Sequence, residues 1–158
     1  MNESYTTQTL PSRKYRELIG TAICVFNSNN SFVIENILRM DKTKEDSWHS
    51  LLDKVSGKLI ADIQKTITAH SNDTIANLFS EIVEIRNRIV HSFQITESSV
   101  AIDDPDHQML ATKHLKSGKQ ELITEEYLMS FIKKMRNFQQ NCISLEGTKL
   151  HIDVGISR

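Results

Sequence analysis

Three side chains in one short stretch offer chemistry that the rest of the chain does not. Arg86-Asn87-Arg88-Ile89-Val90-His91 brings together a guanidinium, a carboxamide and an imidazole. A guanidinium neutralises phosphate and developing negative charge. An imidazole carries a proton near neutral pH, and a carboxamide donates and accepts hydrogen bonds. These are the parts needed to cleave a phosphodiester without a metal. With Arg86 at zero and about 100° per helical residue, Phe79, Ile82, Val83, Ile89, Val90 and Phe93 form an apolar stripe centred on Arg86. Asn87 and His91 stand one turn apart just past its edge, and Glu84 lies on the same polar side, two turns from His91. A guanidinium on an apolar face is expensive unless it meets a carboxylate, a phosphate or a partner surface. The plain alternatives are a structural arginine paired inside the fold and an interface arginine that reaches solvent.

The elements that must position these residues read as helices. From Ser12, apolar residues recur at steps of three and four through Phe26 and again from Phe32 to Met40, so one long helix is expected, with an interruption at Asn29 as an option. Asp46 or Ser47 can cap a second helix that carries Trp48, Leu51, Leu59, Ile63 and Ile67 across Gly57. Ser71 and Asn72 open a third, from Asp73 to about Phe93. Residues 94–123 lose the helical period around Asp103-Asp104-Pro105 and Ser117-Gly118, which suggests two or three short strands. A last helix starts at Thr124, with Glu125 and Glu126 suited to its N-terminal dipole, and Gly147 reads as its stop. The expected layout is a flexible tail over 1–11, a helical domain over 12–147 with a β-rich insertion at 94–123, and a C-terminal tail or short strand over 148–158.

Bulk properties bound the reading. A chain of 158 residues fits one domain able to bury a core without disulfides or metal. Its 39% hydrophobic and 25% charged residues, with five glycines and two prolines, describe a globular protein that leans towards helix. The formal net charge of -1 argues against a broad electrostatic footprint for nucleic acid. Cys24 and Cys142 stand far apart in apolar stretches and read as buried free thiols of a reducing, cytoplasmic compartment. The N-terminus lacks the pattern of a secretory signal, and no apolar run is long enough to span a bilayer. P-loop, Rossmann and nucleophile-elbow glycine patterns are missing.

The string R-N-x-x-x-H, late in a helix and followed by a further helix, resembles the signature of the HEPN superfamily (higher eukaryotes and prokaryotes nucleotide-binding domains). Residues 13–146 fit that family's four- or five-helix bundle, here with a small β insertion before the last long helix. The β-rich segment departs from the family's minimal plan. The resemblance implies a metal-independent endoribonuclease of toxin–antitoxin or antiphage systems, acting as a homodimer with the two motifs facing across a composite cleft. Carried over, Arg86, Asn87 and His91 would be the catalytic residues. Glu84 would orient His91 or pair with Arg88, the i+4 pair being the plainer choice. RNA is the expected substrate, an antitoxin or other regulatory protein the expected further partner, and neither a cofactor nor a metal is required.

Lys113, Lys116 and Lys119 can add a basic rim that touches substrate, as can Lys133, Lys134 and Arg136, against the alternative of an ordinary solvated face. Asp103, Asp104, Asp106 and His107, with His114, have the donor types of a cation site, but Asp-Asp-Pro-Asp reads first as a polar turn. Two other function classes stand beside the nuclease: a non-catalytic HEPN module that binds a nucleotide or a protein, and a helical adaptor in which the motif is accidental. The intact Arg-Asn-His set favours the nuclease, because a binding module has no need of a proton carrier.

Overall fold

A computed structural model describes residues 4–96, 108–113 and 117–154, the last ten by backbone only. The chain is mainly helical, with a three-stranded antiparallel sheet before the last long helix, as expected. The order is α1 (Arg13–Met40), α2 (Trp48–Leu52), α3 (Leu59–Lys65), α4 (Thr74–Val90), β1 (Phe93–Thr96), β2 (Gln108–Lys113), β3 (Gln120–Ile123) and α5 (Glu125–Val154). Two compact units are built from it. One comprises Met1–Cys24 with Glu84–Ile132, the other Val25–Val83 with Lys133–Arg158. α1, α4 and α5 each contribute to both.

The first unit is organised around the sheet, whose strands run in the order β1-β2-β3. Phe93 pairs with Ala111 and Thr96 with Gln108; Leu110 pairs with Ile123 and Lys113 with Gln120. Tyr15 of α1 is buried and meets this ladder at its last β2–β3 pair. Its hydroxyl donates to the Ile123 carbonyl and accepts from the Leu110 amide at 3.3 Å. Burial, together with the nearby Glu125 carboxylate, raises the pKa of that phenol against the opposing hydrogen bond from Leu110. Thr124 then caps α5, accepting from the amides of Tyr127 through its hydroxyl and of Leu128 through its carbonyl. Lys14 pairs with Glu125 in the same first turn. The segment before α1 is held by Arg16, which donates to the Pro11 carbonyl, and by the Gln94 amide, which donates to the Thr9 carbonyl.

The second unit buries an apolar core that includes Val33, Ile34, Ile37, Leu51, Leu59, Ile63, Phe79, Met135 and Phe138. The Phe79 and Phe138 rings lie 5.7 Å apart in a tilted pair. α1 runs without the interruption allowed for at Asn29. The side-chain NH2 groups of Asn29 and Asn36 donate to the carbonyls of Val25 and Phe32, four residues back, so these buried donors are served within the helix, while the Asn29 Oδ1 has no hydrogen-bond partner among the described residues.

Three expectations are corrected. The single helix drawn from Trp48 to Ile67 is α2 and α3, with 3-10 turns at Ser56–Lys58 and Thr68–His70. Ser47 caps α2 in a reciprocal box with Ser50, as its residue type suggested. The helix ends at Asp53, and Val55 turns extended before Gly57 enters a 3-10 turn, where glycine does not have to sustain an α-helix. The apolar spacing survives the break because Leu51, Leu59, Ile63 and Ile67 all remain buried. Second, α5 continues through Gly147 to Val154, where a stop and then a tail or short strand were expected; a glycine ends a helix only where the chain also adopts a left-handed cap. Third, Cys24 is exposed while Cys142 is buried, because Cys24 falls off the line of Ala22 and Phe26 that faces the core.

Tyr15→Phe should lower unfolding free energy by about 1–2 kcal/mol in denaturant titration, because it strips a buried carbonyl and a strand amide of their shared partner. The alkaline limb follows from the raised phenols of Tyr15 and Tyr127. The unfolded chain ionises first above about pH 10, so stability is full below that pH and falls as pH rises further. Two of the three tyrosines should therefore give their phenolate absorbance only above pH 10, together with loss of helical circular dichroism.

Candidate functional site

The motif lies wholly in the first unit, at the C-terminal end of α4. Asp73 and Asn72 open this helix: the Asn77 amide donates to the Asp73 carbonyl, and the Thr74 amide to the Asn72 side chain. Its apolar stripe holds through Phe79, Ile82, Val83 and Ile89, all buried. The helix stops at Val90, three residues short of the expected end. The Ser92 hydroxyl donates to the Ile89 carbonyl at 2.7 Å, satisfying a group the helix can no longer serve, and Phe93 enters β1. The helical angle assigned to Phe93 therefore does not apply. Val90 and Phe93, expected inside the stripe, are 51% and 41% exposed.

This stop places the three motif side chains in different environments. Arg86 is half-buried, with its Nε out of reach of solvent, and burial lowers the pKa of the guanidinium. Asn87 is exposed on the last full turn. His91 is exposed in the turn that follows, its amide donating to the Asn87 carbonyl at 2.9 Å. The arrangement supplies a partly desolvated cation beside an accessible carboxamide and an accessible imidazole. A low-dielectric setting strengthens what a guanidinium does to an anion that reaches it.

The two supporting residues pair with each other. Arg88 donates to Glu84 at 2.5 Å, one turn back, and approaches Glu121 of β3 at 3.9 Å. Glu84 thus makes the i+4 pair with Arg88, the plainer of its two expected roles. Burial draws the Arg88 pKa down, but the Glu84 carboxylate and the Tyr127 hydroxyl together offset this and hold it above its ordinary value. Sequence reasoning missed Tyr127, whose hydroxyl lies out of solvent beside Arg88. Burial raises its pKa although the guanidinium works the other way. Nothing in the spacing links α5 to α4, so this neighbour had no sequence signal.

Among the proposed rim residues, Lys113 ends β2 and Lys119 precedes β3, both exposed and close along the same hairpin. Gly118 makes the turn in the left-handed region at φ 68°, and the Lys113 stem lies against it. Lys116 lies outside the described residues, as do Asp103, Asp104, Asp106, His107 and His114. Lys133, Lys134 and Arg136 belong to the second unit, and Lys134 pairs with Glu81 there. Among the described residues no group of three or more histidine, cysteine or acidic side chains is set to hold a metal ion. No helix among them is long and apolar enough to cross a membrane.

The second unit has its own polar concavity of about 260 Å³, lined by residues such as Asp41, Asp46, Asp62, Thr66 and His70. Three of its carboxylates have partners, Asp46 and Asp62 in Lys54 and Asp41 in Thr43. Lys54 meets Asp62 at 2.9 Å and Asp46 at 3.4 Å, and its donation to the Asp62 carboxylate is the main reason that the lysine's pKa is raised. The Thr43 hydroxyl and amide hold the Asp41 carboxyl below the usual carboxylate range.

Comparison with protein-family models, with curated proteins and with solved structures finds no match for the chain.

Because Glu84 serves Arg88 and not the imidazole, Glu84→Gln should cost about 0.5 kcal/mol of stability or less. It should leave any His91-dependent reaction within about twofold of wild type, far below the effect of losing a general acid–base group. Parallel denaturant titrations and activity assays of the variant check both halves.

Proposed function

We propose that the chain is a metal-independent endoribonuclease of the HEPN type, a toxin or antiphage effector that works as a homodimer. The observation that supports this most is the end of α4. It carries an accessible carboxamide and imidazole one turn apart, next to a partly desolvated guanidinium. In this reading the RNA 2'-oxygen attacks the adjacent phosphorus. The bond from phosphorus to the 5'-oxygen breaks, leaving a 2',3'-cyclic phosphate and a 5'-hydroxyl. His91 takes the proton from the 2'-hydroxyl, and the same histidine of a second copy delivers one to the departing 5'-oxygen. Arg86 neutralises the extra charge on the five-coordinate phosphorus. Asn87 positions a phosphate oxygen or the imidazole.

Most of the Arg86 stripe is used inside the chain, so Val90, exposed between Asn87 and His91, is the apolar contact left on the motif surface. Two such surfaces across a two-fold axis would bring two arginines and two histidines to one groove. That local charge suffices for one phosphate even on a chain of net charge -1. A purely binding module would gain nothing from an accessible imidazole beside the guanidinium, which weighs for the nuclease. A cognate antitoxin or regulator would be the partner that restrains it.

The test is RNA cleavage in EDTA by wild type beside His91→Ala and Arg86→Ala. Each substitution should slow cleavage by about 100-fold or more, with wild type unaffected by the chelator. Intact RNA at high wild-type dose, or equal cleavage by all three proteins, would overturn the reading.

A further inference from the structure

Phe93 opens β1 two residues beyond His91, and 41% of it is exposed. The strand register says what accompanies it. Phe93 pairs with Ala111, cross-strand partners share a face, and alternate residues of β2 return to that face, so Lys113 stands on the same side of the sheet as Phe93. Lys113 is two residues along from Ala111, about 7 Å, towards the end at which the chain arrives from His91. Lys113 pairs with Gln120, which puts Lys119 at the same end. Among the described residues neither lysine has an acidic partner within salt-bridge distance.

An aromatic face beside two exposed lysines, next to a phosphate-directed motif, has the composition of a platform for single-stranded nucleic acid. We propose that Phe93 stacks an unpaired base of the RNA next to the scissile phosphate, with Lys113 and Lys119 holding the backbone that flanks it. The preferred substrate is therefore single-stranded at the cleavage position. In a duplex both faces of each base are already covered by neighbours, and only a splayed base can lie on the ring. A second copy seated on this surface across a two-fold axis would bring like-charged lysines together, whereas a polyanion relieves them. The inference rests on the nuclease reading and specifies its substrate.

The experiment uses the intact protein and a labelled 2'-O-methyl RNA oligonucleotide, which lacks the attacking hydroxyl and is not consumed. Its binding by fluorescence anisotropy is compared with that of the same sequence in a duplex, for wild type, Phe93→Ala and Phe93→Trp. The single strand should bind about tenfold or more tighter than the duplex. Phe93→Ala should lose about tenfold or more in affinity, as expected for removal of one stacked base. Phe93→Trp should retain affinity, with its added indole fluorescence quenched by the oligonucleotide. Wild-type binding that Phe93→Ala leaves unchanged, or equal binding of duplex and single strand, would overturn the stacking role and leave the nuclease reading standing. Wild type that neither binds nor cleaves RNA would overturn both. A Phe93→Ala protein that sediments as a monomer where wild type is a dimer, with oligonucleotide affinity unchanged, would assign Phe93 to contact between copies instead. Phe93→Trp keeps the ring, so unquenched indole emission in a folded, oligonucleotide-bound variant would also count against stacking.

Discussion

The Tyr15 hydroxyl is the contact on which the geometry of the first unit depends. At the last β2–β3 pair it serves an acceptor on one strand and a donor on the other, so α1 is bonded to the sheet where the sheet ends. The residue after Ile123 caps α5, so the same contact fixes where the last helix begins. Within the sheet β1 pairs with β2, its Gln94 side chain also bonds to the Thr9 carbonyl, and β1 receives the chain directly from α4. The helix end that carries Asn87 and His91 is thus set by a strand whose own position traces back to one buried phenol. A buried hydroxyl with two backbone partners tolerates little displacement, because either lost bond leaves a polar group unserved in low dielectric.

That dependence explains why α4 stops where it does. Its apolar period alone would carry the helix on to Phe93. Pairing of Phe93 with Ala111 competes with another helical turn and prevails because the Ser92 hydroxyl takes up the Ile89 carbonyl. The early stop moves His91 from the wall of a helix into an exposed turn and frees Val90 and Phe93 from the core. A proton carrier, an apolar contact and an aromatic ring become accessible within four residues. The Glu84–Arg88 pair, with Tyr127 and Glu121 about it, consolidates the turn behind them.

Much of this was legible in the residues. The period of α1, the Ser47 cap, the opening of α4 at Asp73, the β-rich insertion and the Thr124 start of α5 all follow from local rules, and the structure has each of them. The half-buried place of Arg86, with Asn87 and His91 past the edge of the stripe, was readable from 3.6-residue geometry. What was not legible depended on partners distant in sequence. The break after Leu52 leaves the apolar spacing intact, so periodicity cannot reveal it. The exposure of Phe93 needs β2, some fifteen residues on. Tyr127 beside Arg88 and the tie from Tyr15 to Ile123 are contacts across the fold that no local pattern encodes.

The central claim is that the exposed end of α4 performs transesterification at phosphorus, and the chemistry of the product ends tests it most directly. An oligonucleotide with a single ribonucleotide among deoxynucleotides, incubated with the protein in EDTA, offers one 2'-hydroxyl as nucleophile. Mass spectrometry should find cleavage only at the bond 3' to that ribonucleotide, with a 2',3'-cyclic phosphate on one fragment and a 5'-hydroxyl on the other. Fragments ending in a 3'-hydroxyl and a 5'-phosphate, or cuts between deoxynucleotides, would contradict the account.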